Sequence, residues 1–109
     1  MTSEAQIQRA ILAALGSRPD VRIFRNDVGM AVDPRTRQHV RFGLCVGSSD
    51  LIGIVAPRGR LLALEVKSAN GAATAAQLAF IAMVNQLGGV GRIVRSVAEA
   101  QQAADEAAR

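Results

Sequence analysis

The alternation of apolar and polar positions divides the chain into short helices and strands. From Ser3 to Ser17, apolar residues recur at helical spacing, and Ser3 with Gln6 has the spacing of a capping box at a helix start. Residues 21–26 alternate like a half-buried strand. Residues 27–42 place "DPRTR" between two short apolar pieces, which predicts a hairpin or a mobile loop.

The second half of the chain begins with two apolar strands, at 50–57 and 60–67, joined by a short turn. This pair is typical of a β-hairpin. Thr74 with Gln77 again has capping-box spacing, and it opens a helix that two glycines close.

The last elements complete the predicted fold. "VGRIVRS" predicts a strand, and Ser96 with Glu99 caps a final helix, whose weak apolar stripe predicts a frayed end. The order of elements predicts one domain over residues 1–109, of the α/β class, with a mixed central sheet flanked by helices.

Two opposite charges interrupt the apolar strand "RLLALEVK". Because side chains alternate across a strand, Glu65 and Lys67 lie on the same face. Such a pair is commonly an ion pair that faces solvent at a strand end. Asp50 changes this interpretation, because in a hairpin centred on the turn it lies nearly opposite Glu65, and two facing carboxylates repel unless a cation joins them.

A hard divalent cation fits this arrangement. Asp50, Glu65 and a backbone carbonyl are the kind of ligands that Mg²⁺ prefers, together with water. Lys67 would then lie beside the attacking water, as in a site of metal-assisted hydrolysis. His39 is the only histidine, which gives a Ser-His-Asp mechanism little support.

The composition narrows the class of partner. The net charge of +4 and the pI of about 11 suit a polyanion such as nucleic acid. With no Trp or Tyr, the chain has almost no aromatic platform for stacking unpaired bases. Twelve of the thirteen basic residues are Arg, and the single lysine is Lys67. Because lysine directs a compact charge at one atom, its place beside a buried glutamate favours a chemical role.

The single cysteine and the N-terminus indicate a cellular location. Cys45 cannot form an intramolecular disulfide, and we expect a small buried hydrophobe in a reducing compartment. The N-terminus lacks a basic region followed by an apolar stretch, and no apolar run approaches the length of a membrane span. The sequence predicts a soluble cytoplasmic protein with no membrane partner.

The segments "GSSDLIGI", "GRLLALEVKS" and "GGVGRIVRS", in this order and spacing, resemble the VRR-NUC domain, a branch of the PD-(D/E)xK nuclease superfamily. Ser49 stands where the superfamily motif has proline, at a position from which no chemistry is expected. The resemblance implies a restriction-endonuclease-like fold. It also implies hydrolysis of a phosphodiester by a metal-activated water, without a covalent enzyme intermediate.

The resemblance also implies roles for individual residues. Asp50, Glu65 and the carbonyl of Val66 would bind Mg²⁺, which Mn²⁺ could replace, and Lys67 would position the attacking water and stabilise charge on the phosphate. Glu4 matches an acidic residue that completes such metal sites, directly or through water. An acidic residue in the first turn of a helix is equally explained by the helix dipole.

Further matches surround this centre. Gln77 matches a glutamine near the site in related nucleases, although its capping-box partnership with Thr74 explains it as well. Six residues are candidates for phosphate contacts, which position nucleic acid without reading its sequence, and each of the arginines is also explained as a solvated surface group. They are Arg25, Arg35, Arg37, His39, Arg41 and Ser68.

The resemblance implies a metal-dependent, structure-selective endodeoxyribonuclease. Such a protein would act as a homodimer on branched DNA, such as a Holliday junction, in a bacterial or phage-infected cell and without a nucleotide cofactor. Two alternatives stay open. One is a non-catalytic nucleic-acid-binding module of a phage or DNA-repair complex, and the other is a basic protein-interaction domain whose Glu65–Lys67 pair lies on the surface.

Overall fold

Helices and strands follow one another closely in the computed structural model, which describes residues 2–109. The elements are α1 (Glu4–Gly16), β1 (Val21–Arg25), β2 (Gly29–Val32), β3 (His39–Phe42), β4 (Leu51–Val55), β5 (Arg60–Val66), α2 (Ala75–Gln86), β6 (Val90–Val94) and α3 (Val97–Ala107). The main sheet has the order β1-β4-β5-β6, in which only the β5-β6 pair is parallel, and β2 pairs with β3 in a separate antiparallel sheet. The predicted α/β class, with a mixed sheet flanked by helices, is confirmed.

The helix starts form as the capping residues predict. At α1, the Ser3 hydroxyl accepts a hydrogen bond from the Gln6 N–H, and the Gln6 side chain accepts one from the Ser3 N–H. The same reciprocal box opens α2 at Thr74. At α3, Ser96 accepts from the Glu99 N–H, as predicted, but the Glu99 carboxylate accepts from the N–H of the preceding residue, Arg95.

One face of the main sheet is closed by α1 and α3. Leu62, Leu64 and Val66 alternate along β5 and pack among apolar side chains of both helices. All three side chains are essentially inaccessible to solvent, and they form the centre of the core. Burial of this continuous aliphatic surface is the main source of the free energy of folding.

The end of α3 is packed, so the predicted fraying is wrong. Ala100, Ala103, Ala104 and Ala107 are all buried. Alanine contributes little apolar area, which is why the stripe looks weak in the sequence. A helix lined with small side chains can approach its neighbours closely, however, and the last turn of α3 is therefore held in the core.

The opposite face of the main sheet is covered over only part of its width. Helix α2 lies on the β5-β6 side, where a Cβ atom added at Gly91 would be 3.1 Å from the Ile81 carbonyl oxygen, so glycine permits this close approach. On the β1-β4 side, Ile54 remains about half exposed. Within residues 2–109, no helix is long and apolar enough to span a membrane.

The region 27–42 forms the hairpin that was one of its two predicted states. Strands β2 and β3 pair in register from Gly29–Phe42 to Val32–His39, and the Asp33 carboxylate accepts hydrogen bonds from two N–H groups of the turn. The loop that follows carries Cys45, whose side chain is exposed rather than buried. The prediction of a buried cysteine is wrong because this loop bends over the end of β1 outside the core.

Candidate active site

The two predicted carboxylates meet where β4 begins and β5 ends. Leu51 is paired with Leu64 in the antiparallel ladder, and Asp50 and Glu65 occupy the next position along both strands. Directly opposite residues of an antiparallel pair project from the same face of a sheet. The hairpin therefore brings Asp50 and Glu65 together, as the position of its turn predicts.

Glu65 is a buried acid with an unsatisfied oxygen. The residue is 2% exposed, and within residues 2–109 its Oε1 atom has no hydrogen-bond partner. Burial, reinforced by the neighbouring Asp50 carboxylate, raises the pKa of Glu65 to about 8, although Lys67 acts in the opposite direction. A carboxylate kept in this environment is costly unless a cation or a proton compensates its charge.

Asp50 is fixed by the backbone of β5. Its Oδ2 atom accepts a hydrogen bond of 2.8 Å from the N–H of Val66. The N–H and C=O of one strand residue point toward the same neighbouring strand, so the Val66 carbonyl faces the side on which Asp50 lies. Two carboxylates and one carbonyl oxygen thus converge on this end of the sheet.

Lys67 follows directly after β5 and completes a buried ion pair. Its Nζ atom lies 3.6 Å from Glu65 Oε2, and the residue is 9% exposed. Its N–H donates to the Val94 carbonyl and continues the parallel pairing with β6. The alternative of a pair facing solvent is wrong, because both side chains are turned toward the protein.

The turn after Lys67 is held by a residue without a predicted role. Arg95 Nη1 donates to the carbonyl oxygens of Ser68 at 2.5 Å and Gly71 at 2.8 Å. These bonds anchor the turn to the end of β6. Ser68, a predicted nucleic-acid contact, is partly exposed at the start of this turn.

Glu4 approaches the same turn rather than the paired acids. A Cβ atom at Gly71 would lie 3.0 Å from Glu4 Oε2 and 3.5 Å from the Cβ atom of Lys67. Among residues 2–109, no three His, Cys, Asp or Glu side chains lie close enough together to hold a metal ion. Of the predicted metal ligands, the fold therefore brings together Asp50, Glu65 and the Val66 carbonyl, whereas Glu4 lies next to Gly71.

Asn26 positions Asp50, and the sequence offered only its place at a strand end as a signal. Its N–H donates to the Asp50 carbonyl at 2.7 Å, and its side-chain amide donates to Ser48 Oγ and the Ser49 carbonyl. Its Oδ1 atom accepts from the Leu44 N–H. The hydrogen bonds of Asn26 thus hold the loop before β4 in place and fix the backbone at Asp50.

A cleft of about 430 Å³ opens beside Asp50. It lies between the base of the β2-β3 hairpin and the first turn of α2, and Val28, Gly47, Ala76 and Gln77 line it. The side-chain oxygen of Gln77 accepts a hydrogen bond from the Thr74 N–H in the cap of α2, and the residue also borders the cleft. The structural and functional explanations of Gln77 are therefore compatible.

The predicted basic contacts separate into two groups. His39 and Arg41 project from one face of the β2-β3 hairpin, Arg35 and Arg37 lie at its tip, and all four are exposed. Arg25 is paired with Leu51, so it projects from the face of the sheet opposite to Asp50. The base of the hairpin borders the cleft at Val28, whereas Arg25 projects from the face of the sheet opposite to Asp50.

A mixed α/β sheet with two acids and a lysine at adjacent strand ends is the arrangement of a nuclease-type domain. The family model described as the VRR-NUC domain matches residues 2–98, and the chain belongs to this family. A solved structure titled "VRR_NUC domain protein" has the same fold, with a TM-score of 0.67 at 18% identity over 97% of this chain and 88% of that chain. No curated protein matches the chain significantly.

Proposed function

We propose that this protein is a metal-dependent endodeoxyribonuclease that hydrolyses phosphodiester bonds. The observation that carries the proposal is the buried Glu65, which has an unpartnered oxygen and lies opposite Asp50. A protein that only binds nucleic acid gains nothing from two facing carboxylates, since they weaken the fold and repel phosphate.

The donor atoms at this centre fit a hard divalent cation. Asp50, Glu65 and the carbonyl of Val66 supply oxygen only, which suits Mg²⁺, and Mn²⁺ as its substitute. The unpartnered Oε1 atom of Glu65 is available as a ligand. When bound, such an ion supplies Lewis-acid chemistry and neutralises charge on the phosphate.

Lys67 contributes a positive charge and proton donors next to the reacting phosphate. An ammonium group has three N–H donors, and the contact with Glu65 Oε2 uses only one of them. The remaining donors can bind a phosphate oxygen as negative charge develops on it. Attachment of the following turn to Arg95 keeps this group in place.

The β2-β3 hairpin is the proposed nucleic-acid contact. It carries four exposed cationic or polar side chains, Arg35, Arg37, His39 and Arg41, and its base, at Val28, borders the cleft beside Asp50. Contacts to phosphates fix orientation without sequence preference, which suits recognition of DNA shape. Branched DNA, including four-way junctions, a homodimer and a cytoplasmic location belong to this proposal, on the strength of the family resemblance.

Cleavage of end-labelled DNA tests the proposal. We expect Mg²⁺- or Mn²⁺-dependent cutting of a four-way junction or flap in preference to linear duplex, and none in EDTA. Lys67→Ala should lower the rate by about 10²–10³-fold, the usual loss for a group that stabilises a transition-state charge. Arg58→Ala is the matched control, because Arg58 is an exposed cation in the turn at the far end of β4.

Two outcomes would contradict the proposal. A folded protein that cuts none of these substrates with either metal is not such an enzyme. Salt-sensitive binding that is equal in the parent and in Lys67→Ala, without cutting, would instead identify a non-catalytic nucleic-acid-binding module.

A further inference from the structure

The uncovered half of the main sheet carries an aromatic ring next to the candidate active site. Strand pairing places Phe24 opposite Ile52, on the same face of the sheet as Asp50. Phe24 is 53% exposed, although phenylalanine is among the residues that are most often buried. Diagonal neighbours of an antiparallel pair, such as Phe24 and Asp50, are about 7–8 Å apart, a distance that aromatic side chains can span. Phe24 therefore lies beside the proposed site of cleavage.

Helix α2 borders the same uncovered strands from the other side. Ala76, Phe80 and Met83 lie on one flank of α2, because a spacing of four and then three residues follows one side of a helix. Ala76 borders the cleft beside Asp50, and Met83 borders a groove further along the helix. The partly buried Phe80 lies between them. The uncovered strands thus have an aromatic side chain on each margin, Phe24 on β1 and Phe80 on α2.

The end of this surface that is distant from the site carries a cation without an ion-pair partner. Arg22 pairs with Ile54, so it projects from the same face as Phe24 and lies about 7 Å further along β1. It is exposed, and among residues 2–109 the arginines in salt bridges are Arg18 and Arg92. Arg22 and Ile54 also border an open cavity of about 690 Å³. An anion can therefore reach the Arg22 guanidinium.

We infer that these side chains form a platform for an unpaired strand of the DNA substrate. The β1 platform consists of Arg22, Phe24, Ile52 and Ile54. A base stacks on the exposed ring of Phe24 and a neighbouring phosphate binds Arg22, while the phosphodiester to be cut lies at the candidate active site. The inference rests on the proposed nuclease function and deepens it, because it assigns a position to the nucleotide next to the cut.

The charges on this side of the molecule direct the strand along β1. The Arg60 guanidinium is occupied, since it donates to the backbone carbonyls of Gly88 and Glu106. Arg58 borders the groove at the end of α2 rather than the β1 platform. The cation that is both free and in line with Phe24 is Arg22, so phosphate is attracted to the strand that carries the aromatic ring.

The β1 platform also gives a physical basis for selectivity between DNA structures. Bases within a duplex are stacked on one another, whereas an unpaired base has a free face for the ring of Phe24. Stacking of this kind tolerates any base, because every base has a π-face. A branched or flapped substrate supplies unpaired nucleotides that linear duplex lacks, so the platform would distinguish shape without reading sequence.

Tryptophan fluorescence tests the stacking directly. The chain contains no Trp, so the indole introduced by Phe24→Trp reports on this position alone, and its emission should be lost when a base stacks on it. Titration with oligothymidylate in EDTA measures binding without cleavage. An abasic oligomer of the same length carries the phosphates without the bases and should leave the emission unchanged. Ala13→Trp is the matched control, because Ala13 is exposed on α1, which covers the other face of the sheet.

Affinity for labelled oligothymidylate, measured by fluorescence anisotropy, separates stacking from charge. Phe24→Leu keeps an apolar side chain without a ring and should weaken binding by at least about 5-fold, whereas Phe24→Trp should bind at least as tightly as the parent. Arg22→Ala should lower the slope of log affinity against log salt by about 0.7, the value for one phosphate of a single strand. Arg9→Ala, which removes an exposed arginine of α1, should leave this slope unchanged.

Four outcomes would overturn the inference: emission that DNA does not change, an equal loss with the abasic oligomer, Phe24→Leu that binds like the parent, or emission that depends on protein concentration alone. The last would assign the β1 platform to contact with protein. Circular dichroism checks that each variant is folded, and Phe24→Thr keeps strand propensity if Phe24→Leu disturbs the fold.

The same measurements distinguish this inference from the proposed function, because none of them involves cleavage. A protein that cuts DNA but stacks no base on position 24 contradicts only the β1 platform. A protein that stacks a base there but cuts none of the substrates contradicts only the nuclease activity.

Discussion

The two faces of the main sheet differ in how they are completed. The face beneath α1 and α3 is filled by aliphatic side chains such as Leu64, with no buried charge in its central cluster. The other face carries a half-covered apolar surface and, at its end, the buried acid Glu65 beside Lys67. The first face stabilises the fold by burying apolar surface, whereas the second keeps a buried charge and exposed apolar side chains, both of which cost stability.

This difference follows from what each group requires of its surroundings. An aliphatic side chain needs only close packing, which the chain supplies to itself through α1 and α3. A buried carboxylate needs a cation or a proton to compensate its charge, and a helix without charged residues is normally covered by other apolar groups. On the second face, packing within the chain meets neither requirement fully. We therefore expect mutations on the two faces to have different consequences.

The largest effect on stability should come from the filled face. Leu64→Ala leaves a cavity in the core and should cost about 2–5 kcal/mol of unfolding free energy, measured by urea denaturation. Ile54→Ala, on the same sheet but half exposed, should cost about 1 kcal/mol. Equal losses would contradict the distinction, and a cost for Ile54→Ala that grows with protein concentration would show that an assembly covers this residue.

The buried acid should make the metal-free protein less stable as pH rises. Because the pKa of Glu65 is raised from 4.5 to about 8, the folded state holds this proton more tightly than the unfolded state. The contribution of Glu65 to the free energy of unfolding is therefore fully present below pH 4.5 and is lost as the pH rises toward 8. The slope reaches up to about 1.4 kcal/mol per pH unit.

Glu65→Gln provides the matched control for this pH dependence. The amide has no proton to lose, so denaturation of the variant in EDTA should show a much smaller slope over the same pH range. The variant should be inactive as a nuclease and yet more stable than the parent near pH 8. An unchanged slope would mean that Glu65 is not the group responsible.

The smallest expected effect concerns the hairpin beside the cleft. Arg41→Ala should weaken DNA binding only a few-fold and lower the slope of log affinity against log salt by about 1, as expected for one lost phosphate contact. Fluorescence anisotropy with labelled DNA measures both quantities. Arg58→Ala, an exposed arginine at the other end of β4, should leave the slope unchanged. If both variants behave alike, binding is not localised at the hairpin.

Local signals predicted much of this structure. The capping boxes at Ser3 and Thr74 mark where α1 and α2 begin, because their hydrogen bonds close within one turn of helix. The pairing of Asp50 with Glu65 follows from the turn between β4 and β5, since the turn fixes the register of a hairpin. These features depend on residues close together in the chain.

Features that depend on distant contacts could not be predicted in this way. Asn26 binds the loop before β4 across 22 residues, and Arg95 binds the turn after β5 across 27, so neither role has a local pattern. The buried alanines of α3 and the exposed Cys45 depend on which surfaces meet in the folded chain. Residue type alone does not determine them.

Calorimetric titration with Mn²⁺ tests most directly whether the second face holds a cation. The parent should bind Mn²⁺ near pH 8, and binding should weaken toward pH 6 because the ion must displace the proton of Glu65. Asp50→Asn should abolish this site while the protein remains folded. Binding of equal strength in Asp50→Asn and in the parent would contradict the assignment of Asp50 and Glu65 as the metal centre.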